Sequence, residues 1–254
     1  MRKTIYKNDG TIPTAYAEIR STEKIGTVIS EKHDITVSSW LSGDQILKFA
    51  QITQNELGRA NYLIIDPLIF LIEEQLVDYL NANITQSTEF IIAIIHWNGN
   101  HWITGLINLN QKTTAVLDSL GETNHNRLFN KIYKVADVAL TLQNKHHTFG
   151  EFKFRCSLDN PKQENYDDCG VMVCKTISSV LKKDRRKFEI RTGDFRDEIV
   201  RTLDNVREIH ENRARVPITK TINRFKQPSY SNKVNGYRVL VQITDYEQLI
   251  ENFF

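Results

Sequence analysis

Cysteine is scarce in this chain: three residues in 254, at positions 156, 169 and 174. That is too few, and too closely spaced, for a disulfide framework, so a reducing compartment is expected and each thiol is a candidate nucleophile. An excess of charge of one sign is also missing. With 33 Lys and Arg against 31 Asp and Glu the net charge is +2, which offers no global field for nucleic acid or an acidic membrane surface. No apolar run is long enough to span a bilayer, since the most apolar stretch, YLIIDPLIFLI, is cut by Asp66 and Pro67. The opening MRKTIYKNDGTIPTAY lacks the apolar core of a secretion signal, and neither repeats nor low-complexity tracts occur. A soluble chain is expected, with no nucleic-acid partner and no membrane segment, and large enough to bury a sizeable core.

What is present alternates between helical and strand patterns. SSWLSGDQILKFAQITQNELG reads as a helix capped by Ser38 or Ser39 and stopped by Gly58, with Ile46, Leu47, Phe49, Ala50 and Ile52 on its buried side. DPLIFLIEEQLVDYLNAN reads as one further helix with Pro67 in its first turn. EFIIAIIHW, HWITGLINL and TTAVLDSL read as strands, RLFNKIYKVADVALTLQ as a helix, FKFRC as a short strand, and CGVMVCKTISSVL as an apolar helix starting near Cys169. From Lys182 the character changes: 16 Lys and Arg against 11 Asp and Glu give this tail a net +5, against −3 before it. The tail reads as a charged helix over about 194–214, a Pro/Ser/Asn-rich loop, the strand YRVLVQI and a short last helix. The pattern is α+β, a mixed or antiparallel sheet flanked by helices. Three parts are expected: a variable arm over 1–38, a core over 39–181, and a 182–254 part that completes the core or extends it to bind substrate.

The stretch HWNGNHW offers two His-Trp pairs, and hairpin geometry separates them. If HWITGLINL and TTAVLDSL pair through a turn at NLNQK, opposed residue numbers total about 220. His101 and Asp118 total 219, which puts their side chains about 5 Å apart on one face. His96 would need the turn inside the apolar pair Leu106-Ile107, so it is placed at a strand end leading into the NGN turn. A carboxylate beside a histidine fixes its tautomer and stabilises its protonated form. Read alone, the pair is equally a surface cross-strand contact.

Cys169 in QENYDDCGVMVC follows turn-forming residues and opens the apolar helix, whose N-terminus favours a thiolate. His101 nearby would take the thiol proton, and the thiolate is the form that attacks a carbonyl carbon. Gln163, six residues upstream, could donate from its side-chain amide to a developing oxyanion, together with the backbone N–H of Cys169. Gly170 permits close approach of backbone and substrate. Read alone, Cys169 is more commonly a buried structural cysteine, and that is the reading for Cys156 and Cys174. Zinc is not expected, because no CxxC is present and Cys169 and Cys174 fall on different helix faces.

HW, then D in VLDSL, then Q and DCG in QENYDDCG resemble the ubiquitin-like-modifier protease family, the CE-clan His-Asp-Cys cysteine peptidases that include SUMO proteases and deubiquitinases of intracellular bacteria. EFIIAIIHWNGNHWITGLINLNQKTTAVLDSL resembles the family's central sheet, and SSWLSGDQI its WLxDxxI segment, so the resemblance covers about 39–181. It implies His101 as general base and then acid, Asp118 as its orienting partner, Cys169 as nucleophile and Gln163 as oxyanion donor. It also implies that Trp40 and Trp102 line a narrow tunnel over a diglycine tail, where only residues without side chains pass between two indoles. No cofactor or metal is implied. Departures fall beside these positions: Gly43 stands where the family usually has Asp, with Asp44 one place on as a shifted substrate contact, Asp167 replaces a common aromatic, and Tyr166 a usual glycine.

The resemblance implies a thiol isopeptidase acting on ubiquitin or a ubiquitin-like protein, working as a monomer in cytosol or nucleus. Ubiquitin is favoured by analogy with bacterial relatives, because the wealth of Ile, Asn and Lys resembles AT-rich genomes of intracellular bacteria; such an owner would inject the protein into a host cell. A SUMO protease is the alternative. A YopJ-type acetyltransferase is a further one, with Asp118 against it because that group usually carries Glu there, and a non-catalytic modifier-binding module is disfavoured by the intact His, Asp, Cys and Gln.

Overall fold

Strand side chains alternate between two faces, so a run that is apolar at every position belongs where both faces are covered. Phe90–Ile95, within the strand Phe90–Trp97, is such a run. Phe90, Ile92 and Ile94 enter one core, while Ile91, Ala93 and Ile95 enter another. Truncating one of these fully buried isoleucines to alanine costs about 2–5 kcal/mol. The computed structural model describes residues 39–121, 126–157, 159–184, 192–210 and 241–251, with Ile35 and Phe253. Within them six strands form one sheet: β1 Tyr62–Ile65, β2 Phe90–Trp97, β3 His101–Asn108, β4 Thr113–Leu117, β5 Lys153–Ser157 and β6 Val241–Thr244. They lie side by side in chain order. The two pairs around β3 are antiparallel and the other three parallel, so the sheet is mixed and the fold α+β as expected.

The helices among the described residues are α1 Gly43–Glu56, α2 Pro67–Leu71, α3 Glu73–Asn83, α4 Asn126–Leu142, α5 Cys169–Lys182, α6 Thr192–His210 and α7 Tyr246–Glu251. One sheet face is covered by α1, α5, α6 and α7, whose Phe49, Cys174, Phe195 and Tyr246 share a core. Residues from α2, α3 and α4, such as Phe70, Leu80 and Phe129, cover the other face. The tail therefore shares the core of the preceding chain, through Phe195, Ile199 and Leu203 of α6 and Tyr246, Leu249 and Ile250 of α7. The expected arm over 1–38 lies outside the described residues apart from Ile35, as do the loop after α6 and the first part of YRVLVQI. No helix among the described residues is long and apolar enough to cross a membrane.

Four expectations change. Helix α1 is capped by Ser42 in a reciprocal capping box with Gln45, not by Ser38 or Ser39. The helix expected over 66–83 is two, broken where Ile72 turns extended, and nothing in the local sequence explains the break. YLII is a strand, added parallel to β2 at the sheet edge. The β3–β4 register totals 221, with Thr104 opposite Leu117, and pairing stops there, so His101 and Asp118 meet just beyond the ladder and not as a directly opposed pair.

Candidate active site

Antiparallel pairing brings the start of β3 and the end of β4 to one edge of the sheet. His101 is the first residue of β3 and Asp118 the first after β4. The His101 Nε2–H donates to Asp118 Oδ1 at 2.8 Å, with the side chains only 8% and 1% exposed. Asp118 Oδ1 also accepts the N–H of Leu120 at 2.8 Å, which holds the carboxylate in place. Because a carboxylate only accepts, Nε2 carries the proton and Nδ1 is left for another partner. The Cys169 thiol supplies one, as a hydrogen-bond partner and as a nearby charge when ionised. Burial alone would lower the imidazole pKa, but the hydrogen bonds to Asp118 and Cys169 and their negative charges outweigh it and lift the value from 6.5 to about 9.

Cys169 is the first residue of α5 and is buried. Asp168 occupies the N-cap position but makes no side-chain cap bond. The first-turn N–H groups thus have no side-chain acceptor, the arrangement in which they can receive a developing negative charge. The other two cysteines are free and buried as well, and burial pushes both thiols up, Cys174 strongly. A raised thiol is a poor nucleophile at neutral pH. His96 sits near the end of β2 before the NGN turn, packed against Trp102 with ring centroids 4.4 Å apart and the rings tilted by 32°. Burial and the charge of His101 lower its pKa. His101 is thus the histidine beside the carboxylate and the thiol.

Gln163 is held at both ends of its amide. The Ser119 hydroxyl donates to its Oε1 at 2.6 Å, and its Nε2 donates to the Asn165 carbonyl at 2.6 Å, leaving one further N–H on that nitrogen. Its backbone N–H also donates to the Ser119 carbonyl at 3.2 Å, so the loop before Cys169 is pinned to the chain leaving β4.

Trp102 is almost fully buried, and its indole N–H donates to the Leu41 carbonyl at 3.0 Å. Trp40 is 45% exposed and donates to Asp167 Oδ1 at 2.7 Å, so it reaches across to the loop two residues before Cys169. The two tryptophans are joined through segment 40–43. A Cβ on Gly43 would stand 3.1 Å from both Trp102 Cη2 and Pro67 Cγ, so the close seat of the Trp102 ring goes with the missing side chain. Asp44 lies exposed in the first turn of α1. Gly170 is a correction: a Cβ there would meet Leu41 Cβ at 2.9 Å and Ile46 Cδ1 at 3.2 Å, so the close approach it permits is that of the 41–46 segment and not that of substrate.

Sequence reasoning missed Ser119, Asn165, Asp168 and Arg196. The Asn165 carboxamide oxygen accepts from the backbone N–H groups of Asp167 and Asp168, and its Nδ2 donates to Asp168 Oδ2 at 2.7 Å, which shapes the turn into α5. A turn-forming Asn three residues before a helix N-cap is a readable signal. Among the described residues no group of three His, Cys, Asp or Glu side chains is placed to hold a metal ion.

Comparison with known proteins bears on the fold and the family. In Saccharomyces cerevisiae, "Ubiquitin-like-specific protease 1" is 33% identical over 84 residues, which are 33% of this chain and 13% of that protein's length. A solved structure of the SUMO protease Ulp1 with its catalytic cysteine oxidised to a sulfonic acid superposes with TM-score 0.57 at 23% identity, covering 68% of this chain and 81% of the other. A de-sumoylating protease superposes with TM-score 0.55 at 15% identity, covering 70% and 86%. At these identities the superpositions establish the shared fold. The pattern of the Ulp1 protease family's C-terminal catalytic domain matches residues 77–208, about half of the chain and spanning His101, Asp118, Gln163 and Cys169. The chain belongs to the Ulp1 protease family.

Proposed function

We propose that this protein is a thiol isopeptidase that releases a ubiquitin-like modifier from lysine side chains. One observation carries the reading: a buried imidazole bound through Nε2 to Asp118, with Cys169 at a helix N-terminus as the other partner of the ring. The raised pKa of His101 favours the imidazolium–thiolate form. The Cys169 sulfur attacks the carbonyl carbon of the modifier's terminal glycine, and the oxyanion is met by the Cys169 N–H and the amide of Gln163. His101 then gives its proton to the departing lysine amine as the C–N bond breaks, leaving a thioester. Water attacks the thioester carbon, losing a proton to His101; the C–S bond breaks, freeing the modifier's carboxylate and restoring the ion pair. Trp40 and Trp102 hold the glycines of the tail between two rings, and Asp44 contacts the tail from its exposed position on α1.

The first modifier to test is of the SUMO class, because the two solved structures named above are of a SUMO protease and a de-sumoylating protease, and a Ulp1 domain has been solved in complex with Smt3, the yeast ortholog of SUMO. Ubiquitin is the second reading, favoured by the Ile-, Asn- and Lys-rich residue usage, and would make the protein an effector working inside a host cell. Either way the site of action is cytosol or nucleus, where such conjugates occur.

The test is covalent labelling by modifiers ending in propargylamide, comparing the native chain with Cys169→Ala, His101→Ala and His96→Ala. Labelling by one modifier, lost in the first two variants and kept in the third, is the expected result. Labelling that survives His101→Ala and is lost in His96→Ala would assign the wrong histidine, and no labelling by any modifier would sink the isopeptidase reading.

A further inference from the structure

Arg196 lies in α6, far from Cys169 in sequence, yet its guanidinium is buried against the nucleophile's loop. Its Nε and Nη2 donate to Asp168 Oδ1 at 3.0 and 2.5 Å, and Nη2 also reaches the Asp167 carbonyl at 3.4 Å. Its Nη1 donates to the Ser39 carbonyl at 2.8 Å. One planar group therefore spans two separate segments: the one that carries Trp40 and the one that ends in Cys169. Asp168 is one residue before the nucleophile, and a bare carboxylate there would oppose thiolate formation. Its second oxygen is bound by Asn165, which turns the carboxylate away from the helix end it would otherwise cap.

We propose that Arg196 is a positioning residue of the active site: its guanidinium neutralises the Asp168 carboxylate beside the nucleophile and ties the Trp40 segment to the Cys169 segment. The inference rests on Cys169 being the reactive thiol and otherwise stands apart from which modifier is cut. Arginine suits this place because its rigid fork serves several acceptors at once, whereas a lysine ammonium at one point cannot bridge Ser39 and Asp168. The charged groups around the thiol are His101 from β3, Asp118 after β4, Asp167 and Asp168 from its own loop, and Arg196 from α6. From α1 the first turn offers only Asp44, exposed to solvent.

The experiment measures the pH profile of Cys169 alkylation by iodoacetamide, followed by mass spectrometry of its peptide, and alongside it the cleavage kinetics on the modifier identified by labelling. Asp168→Asn leaves a cation beside the thiol and should shift the alkylation midpoint down. Arg196→Met leaves an anion and should shift it up by about one unit, a roughly tenfold slower alkylation at neutral pH. General structural damage does not produce shifts of opposite sign. If Arg196→Met does not fold, the double variant Arg196→Met/Asp168→Asn carries the test. It should keep a near-native alkylation midpoint while its kcat/KM falls at least about tenfold through KM, because Ser39 and the Trp40 segment are released. Arg196→Lys should likewise keep the midpoint and lose KM. Shifts of the same sign in the two single variants, or no shift in either, would overturn the electrostatic half. A double variant within twofold of native kcat/KM would overturn the tie. The alkylation arm stands if no modifier is cleaved, so failure of the isopeptidase reading and failure of this inference give different results.

Discussion

The molecule contains two His–Asp pairs with the same contact and different surroundings. His101 Nε2 meets Asp118 Oδ1 at 2.8 Å, and His147 Nε2 meets Asp137 Oδ1 at 2.8 Å. In the first pair the carboxylate is 1% exposed, and in the second it is 35% exposed. The second nitrogen separates them further: that of His147 is bonded to the Lys145 carbonyl two residues away, whereas the remaining side of His101 answers to a thiol on another element. A histidine becomes a base through what its free nitrogen faces, and the carboxylate only prepares it.

Substitutions can widen or erase that contrast. Cys169→Ser and His101→Gln should give the largest losses, about 10³–10⁶-fold in kcat/KM, while His147→Gln should leave kcat/KM within twofold and cost at most about 1 kcal/mol of stability, since its partner is about a third exposed. Asp118→Asn comes next, at about 10²–10⁴-fold in kcat, with the alkaline limb of the rate profile moving below its native position near 9. Gln163→Ala should lower kcat about 10²–10³-fold. Ser119→Ala, which frees the Gln163 amide to rotate, should cost about fivefold, from one lost hydrogen bond of about 1 kcal/mol. A further effect is on stability. His101 sits at about 9 in the fold against 6.5 in an open chain, so its stabilising contribution is whole below pH 6.5 and is lost as the pH rises towards 9. Thermal melts across that window should show the native Tm declining more steeply than that of His101→Gln; parallel curves would refute the assignment.

How much of this was legible in the residues depends on the range of the contact. The β2 and β3 strands, α5 beginning at Cys169 and the meeting of His101 with Asp118 all follow from patterns within about twenty residues, and the expected hairpin total of about 220 missed the register by only about one. Strand β1 escaped because YLII has only four residues and runs straight into the Asp66-Pro67 helix start. Ser42 was passed over for earlier serines, although Gln45 three places on completes its capping box. Arg196 could not be found this way, because Ser39 is 157 residues distant and no local periodicity records such a pairing. The role of Gly170 was misjudged for the same reason, since the neighbour that needs the space is Leu41 on a remote segment.

All eight residues of β3 are buried. His101, which starts this strand, is therefore mounted on a part of the sheet with little room to open on its own. Its alignment has no separate melting point: on heating, hydrolytic capacity should persist up to the temperature at which the whole sheet comes apart, and vanish with it.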